Sequence, residues 1–248
     1  FTKLECFAVL SAGFFCFFER ESDDGFSRGG MPSINFDEMH AARVFSGQNS
    51  VEVAKLRMFF DYFVAMAASI RNDGPAVRSD ASAVVFARVK APSREHIAAR
   101  LKDRPLAPMV FHPLGESIDE QRTMLRADFA NEVIGGASLS FGCVQEEIMF
   151  AICPEMNVSR LICPPMAADE AILIFRAEQF SFVKPGTYAF SLEYGGTFNG
   201  RRAAATSAVA AIDALDYRGR SSKAQYSRDC TAREIVKACA GFAFDTSV

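Results

Sequence analysis

Two adjacent carboxylates, Glu146 and Glu147, and a glycine pair, Gly135-Gly136, lie in one stretch from Asp128 to Ile148. The glutamates fall in the first turn of a helix expected over 144–151, where the helix dipole favours negative side chains. Neighbours on a helix point about 100° apart. One carboxylate could therefore orient a sugar while the other moves protons. Gly135 and Gly136 can take φ > 0 and have no Cβ, so a ligand can approach their backbone closely. Exposed N–H groups in such a turn, or at a helix start, form a concavity for anions. On spacing alone, Gln145-Glu146-Glu147 also reads as a plain solvated helix start.

These groups need elements to hold them. Leu125, Ala127 and Phe129 alternate with Arg126, Asp128 and Ala130, the pattern of a strand with one buried face. The strand runs into the glycine turn, and a short loop leads to the helix. Three more elements follow: a continuous apolar run at 171–175, typical of a central strand, a buried strand at 209–214, and a helix capped by Thr231 and Glu234.

Upstream, residues 7–18 are almost wholly apolar and read as a buried helix. The run is too short to span a bilayer and lacks the flanks of a secretory signal. The chain begins inside this element, which points to further residues upstream. A polar loop is expected over 19–35. Ser50 caps a helix expected over 51–70, with a stripe of Leu56, Phe59, Phe60, Phe63 and Met66. Asn72-Asp73-Gly74-Pro75 ends it, so a helical accessory region is placed at 1–75 and the rest at 76–248. A strand at 83–89, a helix at 93–102, a strand at 109–111 and a polar loop at 115–121 come next. Alternating strands and helices imply an α/β core.

Composition narrows the chemistry. At 248 residues, half of them hydrophobic and 24 of them Phe, the chain can build one large domain with an accessory lobe. A formal net charge of −3 gives no global field for nucleic acid, so phosphate binding must be local. The seven cysteines are scattered, and no pair has C-x-x-C spacing; a reduced, intracellular state without zinc is expected. His40, His96 and His112 are isolated, which argues against a histidine metal cluster.

The string Asp128-Phe129-Ala130-Asn131 … Gly135-Gly136-Ala137 … Gln145-Glu146-Glu147-Ile148 resembles the signature of poly(ADP-ribose) glycohydrolases. The resemblance continues in order through Pro32–Phe36, Pro154-Glu155, Ser159-Arg160-Leu161, Glu178–Ser181, Tyr188-Ala189, Ala211–Ala214 and Ala240–Phe242. It implies a macrodomain-like three-layer α/β/α fold with a mixed sheet and an N-terminal helical accessory region. It also implies hydrolysis of ribose–ribose O-glycosidic bonds in poly(ADP-ribose), without a metal or cofactor. Glu147 would be general acid and then base, with a pKa raised by burial or by Glu146. Glu146 would hold ribose hydroxyls, and Asp128 would support the loop. Asn131 would bind the distal ribose. Gly135, Gly136 and Ala137 would lie along the diphosphate, with Gln145, Tyr188 and Asp119 completing the substrate site. Arg201-Arg202 could attract polymer phosphates.

The implied partners are poly(ADP-ribose), ADP-ribose and poly(ADP-ribosyl)ated proteins, with no direct nucleic-acid binding and no membrane. The implied setting is the DNA damage response and carbohydrate metabolism, in nucleus or cytoplasm. Two departures weigh against activity. Ala137 replaces a third glycine, at a cost of roughly 1–2 kcal/mol if the backbone there is left-handed. The chain also stops soon after Phe242, where the family continues. The alternatives are an inactive ADP-ribose-binding relative or an incomplete fragment.

Overall fold

The structure, a computed structural model, describes residues 1–19, 31–45, 50–72, 74–102, 105, 108–113, 115–121, 123–189, 191–198, 207–217 and 222–243. Arg201-Arg202, most of the 19–35 loop and Asp73 lie outside them.

Three helices come first: α1 (Lys3–Phe14), α2 (Asp37–Phe45) and α3 (Val51–Asn72). Thr2 and Glu5 form a reciprocal capping box on α1. The apolar run of 7–18 is buried only in part. It leaves the helix after Phe14, and Phe15 and Phe17 stand exposed. Gly13 explains the crossing of α1 by the next segment: a Cβ there would lie 2.5 Å from the Ile34 carbonyl. Ser50 does cap α3, accepting the Val53 N–H. The buried stripe of α3 runs through Met58, Phe59, Tyr62 and Met66, whereas Phe60 is largely exposed.

The sheet contains β1 (Val85–Lys90), β2 (Leu125–Ala130), β3 (Glu170–Phe175) and β6 (Ala208–Asp213), in the order β1-β3-β6-β2. β3 is antiparallel to β1 and β6, and β6 is parallel to β2. A separate hairpin pairs β4 (Ser181–Val183) with β5 (Tyr194–Thr197). Helices α4 (Arg94–Leu101), α5 (Gln145–Ile152), α6 (Ser159–Ile162) and α7 (Arg228–Phe242) complete the elements.

Period-2 alternation sends the central strands' side chains to both faces. Ile172, Ile174, Val209 and Ala211 join the main core with α1, α3 and α5. Ala171 and Ile212 join a second core with Val236 and Ala240 of α7 and Ile97 of α4. Helices thus cover both faces of a mixed sheet, the α/β/α arrangement expected. No helix among the described residues is long and apolar enough to cross a membrane.

Two local expectations need correction. Residues 109–111 form no strand; their apolar side chains are exposed, so no burial drives pairing. α7 starts at Arg228 and is capped by Ser227, which accepts the Cys230 N–H, so Thr231 and Glu234 lie inside the helix. The alternation in β2 leaves open which of its faces is buried. Arg126, Asp128 and Ala130 are buried, while Phe129 is 67% exposed. α7 packs on β1, β3 and β6, and α5 packs on β2. The Leu125–Ala127–Phe129 face therefore has less cover, and the polar face looks into the protein.

A buried ion pair ties α1 to the core. Lys3 Nζ donates to Glu155 at 2.5 Å and to the Arg176 carbonyl at 2.6 Å, and both charged side chains are almost fully buried. Lys3→Ala is expected to destabilise the fold by roughly 3–5 kcal/mol, because it strands Glu155. That corresponds to a fall in Tm of roughly 6–20 °C in a thermal melt. The double variant Lys3→Met/Glu155→Gln should recover most of the loss.

Candidate active site

The loop between β2 and α5 is held by buried charges of both signs. Glu146 accepts the N–H of Asn131 at 3.0 Å and of Gly135 at 2.7 Å, one on each oxygen. Glu147 accepts the N–H of Ala137 at 3.3 Å and of Val144 at 3.0 Å in the same way. Arg160 donates from Nη1 to the Gly136 carbonyl at 2.8 Å and from Nε to the Ser33 carbonyl at 3.0 Å. Lys55 donates to the carbonyls of Ala137 and Ser140, both at 2.9 Å. The carboxylates thus take N–H groups of the loop and its entry to α5, and the cations take loop carbonyls. Such charge-assisted bonds are roughly twice as strong as neutral ones.

This arrangement requires backbone close to carboxylate. Gly135 and Gly136 both have positive φ, +84° and +43°. A Cβ on Gly136 would stand 2.7 Å from Glu147 Oε1 and 2.9 Å from Glu146 Oε2. Ala137 is not left-handed: among the described residues, only Cys16, Arg176 and Ala189 are non-glycine residues with positive φ. The strain feared at Ala137 does not arise. Gly142, given no role from the sequence, matters instead for space, since a Cβ there would meet Ala137 Cβ and Glu147 Cγ, each at 2.7 Å.

The other candidate residues gather around this loop. The Gln145 carboxamide bonds the free edge of β2, accepting the Phe129 N–H at 2.9 Å and donating to the Ala127 carbonyl at 3.0 Å. It imitates a strand partner and fixes α5 to β2. Asn131 Oδ1 accepts the Val133 N–H, which orients its exposed carboxamide. Asp128 is fully buried, and neither carboxyl oxygen has a hydrogen-bond partner among the described residues. Burial pushes its pKa well above the ordinary range, helped by the charges of Glu146, Glu147 and Asp119. Asp119, on the 3-10 turn Ile118–Glu120, is thus close enough to act on Asp128. Tyr188 is 54% exposed. Its neighbour Ala189 donates its N–H to the Cys143 carbonyl at 2.9 Å, which ties the Tyr188 turn to the loop. Among the described residues, no group of three or more His, Cys, Asp or Glu is placed to hold a metal ion.

Burial also pushes the Glu146 carboxyl up to about 8, against the opposing pull of the Asn131 and Gly135 N–H bonds. A folded-state pKa above the unfolded value contributes stability that is complete below the ordinary range, near 4.5, and is lost as pH rises through about 8. Lys55, pushed down to about 7 by burial, has the opposite slope: its contribution is lost as pH falls through about 7. Glu146→Gln isolates the first effect. Its Tm relative to the unaltered protein should climb from pH 5 to about pH 8 and level off above it in parallel melts. A difference that stays flat would show that Glu146 ionises normally.

Lys55 and Arg160 carried no assigned role in the sequence. Lys55 was nonetheless legible, as a lysine on the apolar stripe that continues through Met58, Phe59, Tyr62 and Met66. Arg160 lies on α6, a single turn too short for periodicity to reveal.

The chain matches two family descriptions. Residues 98–248 match "Poly (ADP-ribose) glycohydrolase (PARG), Macro domain fold", and residues 1–88 match the helical domain of the same enzyme. It is 34% identical to Poly(ADP-ribose) glycohydrolase 1 of Arabidopsis thaliana over 241 residues, covering 95% of this chain and 40% of that protein. It is 38% identical to Poly(ADP-ribose) glycohydrolase 1 of Caenorhabditis elegans over 144 residues, covering 56% of this chain and 17% of that protein. The chain therefore spans less than half the length of these relatives.

Proposed function

This chain belongs to the poly(ADP-ribose) glycohydrolase family, and on that premise we propose that it hydrolyses ribose–ribose O-glycosidic bonds of poly(ADP-ribose), releasing ADP-ribose. The observation that carries this reading is the seating of Glu147. Two backbone N–H groups aim its carboxylate, it keeps 7% exposure, and it packs directly against the glycine turn at Gly136.

In this reading Glu147 protonates the departing ribose oxygen as the anomeric carbon gains oxocarbenium character. The carbon–oxygen bond breaks, and water adds to the carbon. The proton lost by that water returns to Glu147, so one water is consumed per bond cleaved. Glu146 is more deeply buried and holds the loop that carries Asn131, which faces the distal ribose. The backbone of Gly135, Gly136 and Ala137 runs along the diphosphate. Asp128, whose pKa burial raises, supports the loop from its strand. Gln145 contributes mainly by fixing α5 to β2, and Tyr188 and Asp119 border the nucleotide.

We assign residues 1–75 to the helical accessory region and 76–248 to the macrodomain-like core. The partners in this proposal are poly(ADP-ribose) and the proteins that carry it, in the nucleus or cytoplasm. Incubation with labelled poly(ADP-ribose) tests the reading. Release of monomeric ADP-ribose is expected; binding of ADP-ribose without release would make the chain a reader instead.

A further inference from the structure

Lys55 belongs to α3, in the N-terminal helical region, yet its ammonium ends inside the loop that seats Glu147. The side chain is fully buried. Burying an ammonium costs several kcal/mol even after relaxation, and α3 needs no charge at this position: the other residues of its stripe are apolar or aromatic. Stability alone would be served by methionine.

The hydrogen bonds indicate what the charge does. Ala137 is gripped at both ends of its own peptide frame: Glu147 takes its N–H and Lys55 takes its carbonyl. The same carbonyl accepts the N–H of Ser140 and of Gly142, and Gly142 leaves no room for a Cβ against Glu147. Lys55 also binds the Ser140 carbonyl. It therefore closes the turn from Ala137 to Gly142 from beneath. Arg160 makes a parallel link, joining the Gly136 carbonyl to that of Ser33 in the N-terminal region.

We propose that Lys55 is a positioning residue of the hydrolytic site, through which the helical region sets the loop that aims Glu147 and lies along the diphosphate. This inference rests on the proposed function for its catalytic consequence, but not for the loop geometry. The helical region is then part of the active centre rather than an accessory.

Lys55→Met and Lys55→Arg in the full chain test it. Lys55→Met should melt within a few degrees of the unaltered protein, since relief of a desolvated charge offsets the loss of a donor to two loop carbonyls. Amide hydrogen exchange in the peptide covering 131–144 should quicken by about tenfold or more, with the rest of the chain unchanged. kcat for ADP-ribose release should fall about 100-fold, with KM changed far less. Lys55→Arg, which keeps donors for both carbonyls, should restore part of kcat. Unchanged loop exchange in Lys55→Met overturns the proposal, as does faster exchange with full kcat. A general loss of protection or a melt lower by much more than a few degrees also overturns it, reducing Lys55 to a fold-maintaining role. If the unaltered protein releases no ADP-ribose, the proposed function fails, and loop exchange alone still decides whether Lys55 sets the turn.

Discussion

Glu147→Gln is expected to lower the rate of ADP-ribose release by about 1,000-fold, within the range that general acid–base groups supply. Glutamine matches glutamate in shape but cannot donate and recover a proton at neutral pH. The fold should tolerate it. Glu147 accepts N–H groups from Ala137 and Val144 on separate oxygens, and the Gln oxygen keeps one of them. The amide nitrogen faces the other donor, at a cost of about 1–3 kcal/mol. Steady-state release from labelled polymer should therefore collapse while ADP-ribose affinity, read by calorimetry, stays within a few-fold. Parallel loss of both would mean that Glu147 serves the loop and not the bond.

Gly136→Ala is expected to be nearly as damaging to turnover, for a different reason. Gly136 sits at φ +43°, where a Cβ costs roughly 1–2 kcal/mol. The added methyl would also fall 2.7 Å from Glu147 Oε1 and 2.9 Å from Glu146 Oε2. Both carboxylates must move, or the loop must lift from them. A displacement of about 1 Å can cost about 100-fold in rate, so kcat should drop by at least that much. Binding should weaken too, because the turn is also the proposed diphosphate seat. Alanine at Gly115 is the control: that glycine has positive φ but nothing within 4 Å of an added Cβ, so strain without crowding should leave turnover intact.

The sequence made much of this visible. A period-2 run marked β2, apolar buried runs marked β3 and β6, and the helical stripe marked α3, because burial shapes each of these patterns directly. Ser50 and the Gln145-Glu146-Glu147 triplet marked two helix starts within a residue. The sequence could not tell which face of β2 is buried. That depends on α7 covering the other three strands and not β2. Residues 109–111 looked like a strand by composition, but pairing needs a neighbouring strand, a matter of tertiary context. The short β4 and β5 gave no periodic signal. Ser227 outcompeted Thr231 as a cap, and both are equally plausible locally.

At the site, residue types and order identified the carboxylates and glycines. What escaped was the countercharge. Lys55 is distant in sequence from the loop it holds, and Arg160 stood in the resemblance without a role. The concern over Ala137 assumed that three glycines share one backbone state. Of these three positions Gly135 and Gly136 are left-handed, and Gly142 is crowded as Gly136 is. The account thus has one physical centre: a loop whose N–H groups are drawn to two glutamates and whose carbonyls are drawn to a lysine and an arginine. These four side chains come from three helices, so the site is a property of the assembled fold.

The most direct measurement is a structure of Glu147→Gln bound to a short poly(ADP-ribose) fragment. The side chain of residue 147 is expected within about 3.2 Å of the ribose–ribose linkage oxygen, with the diphosphate along the backbone of Gly135, Gly136 and Ala137. A fragment bound with its linkage beyond reach of residue 147, or with its diphosphate away from the glycine turn, would contradict it.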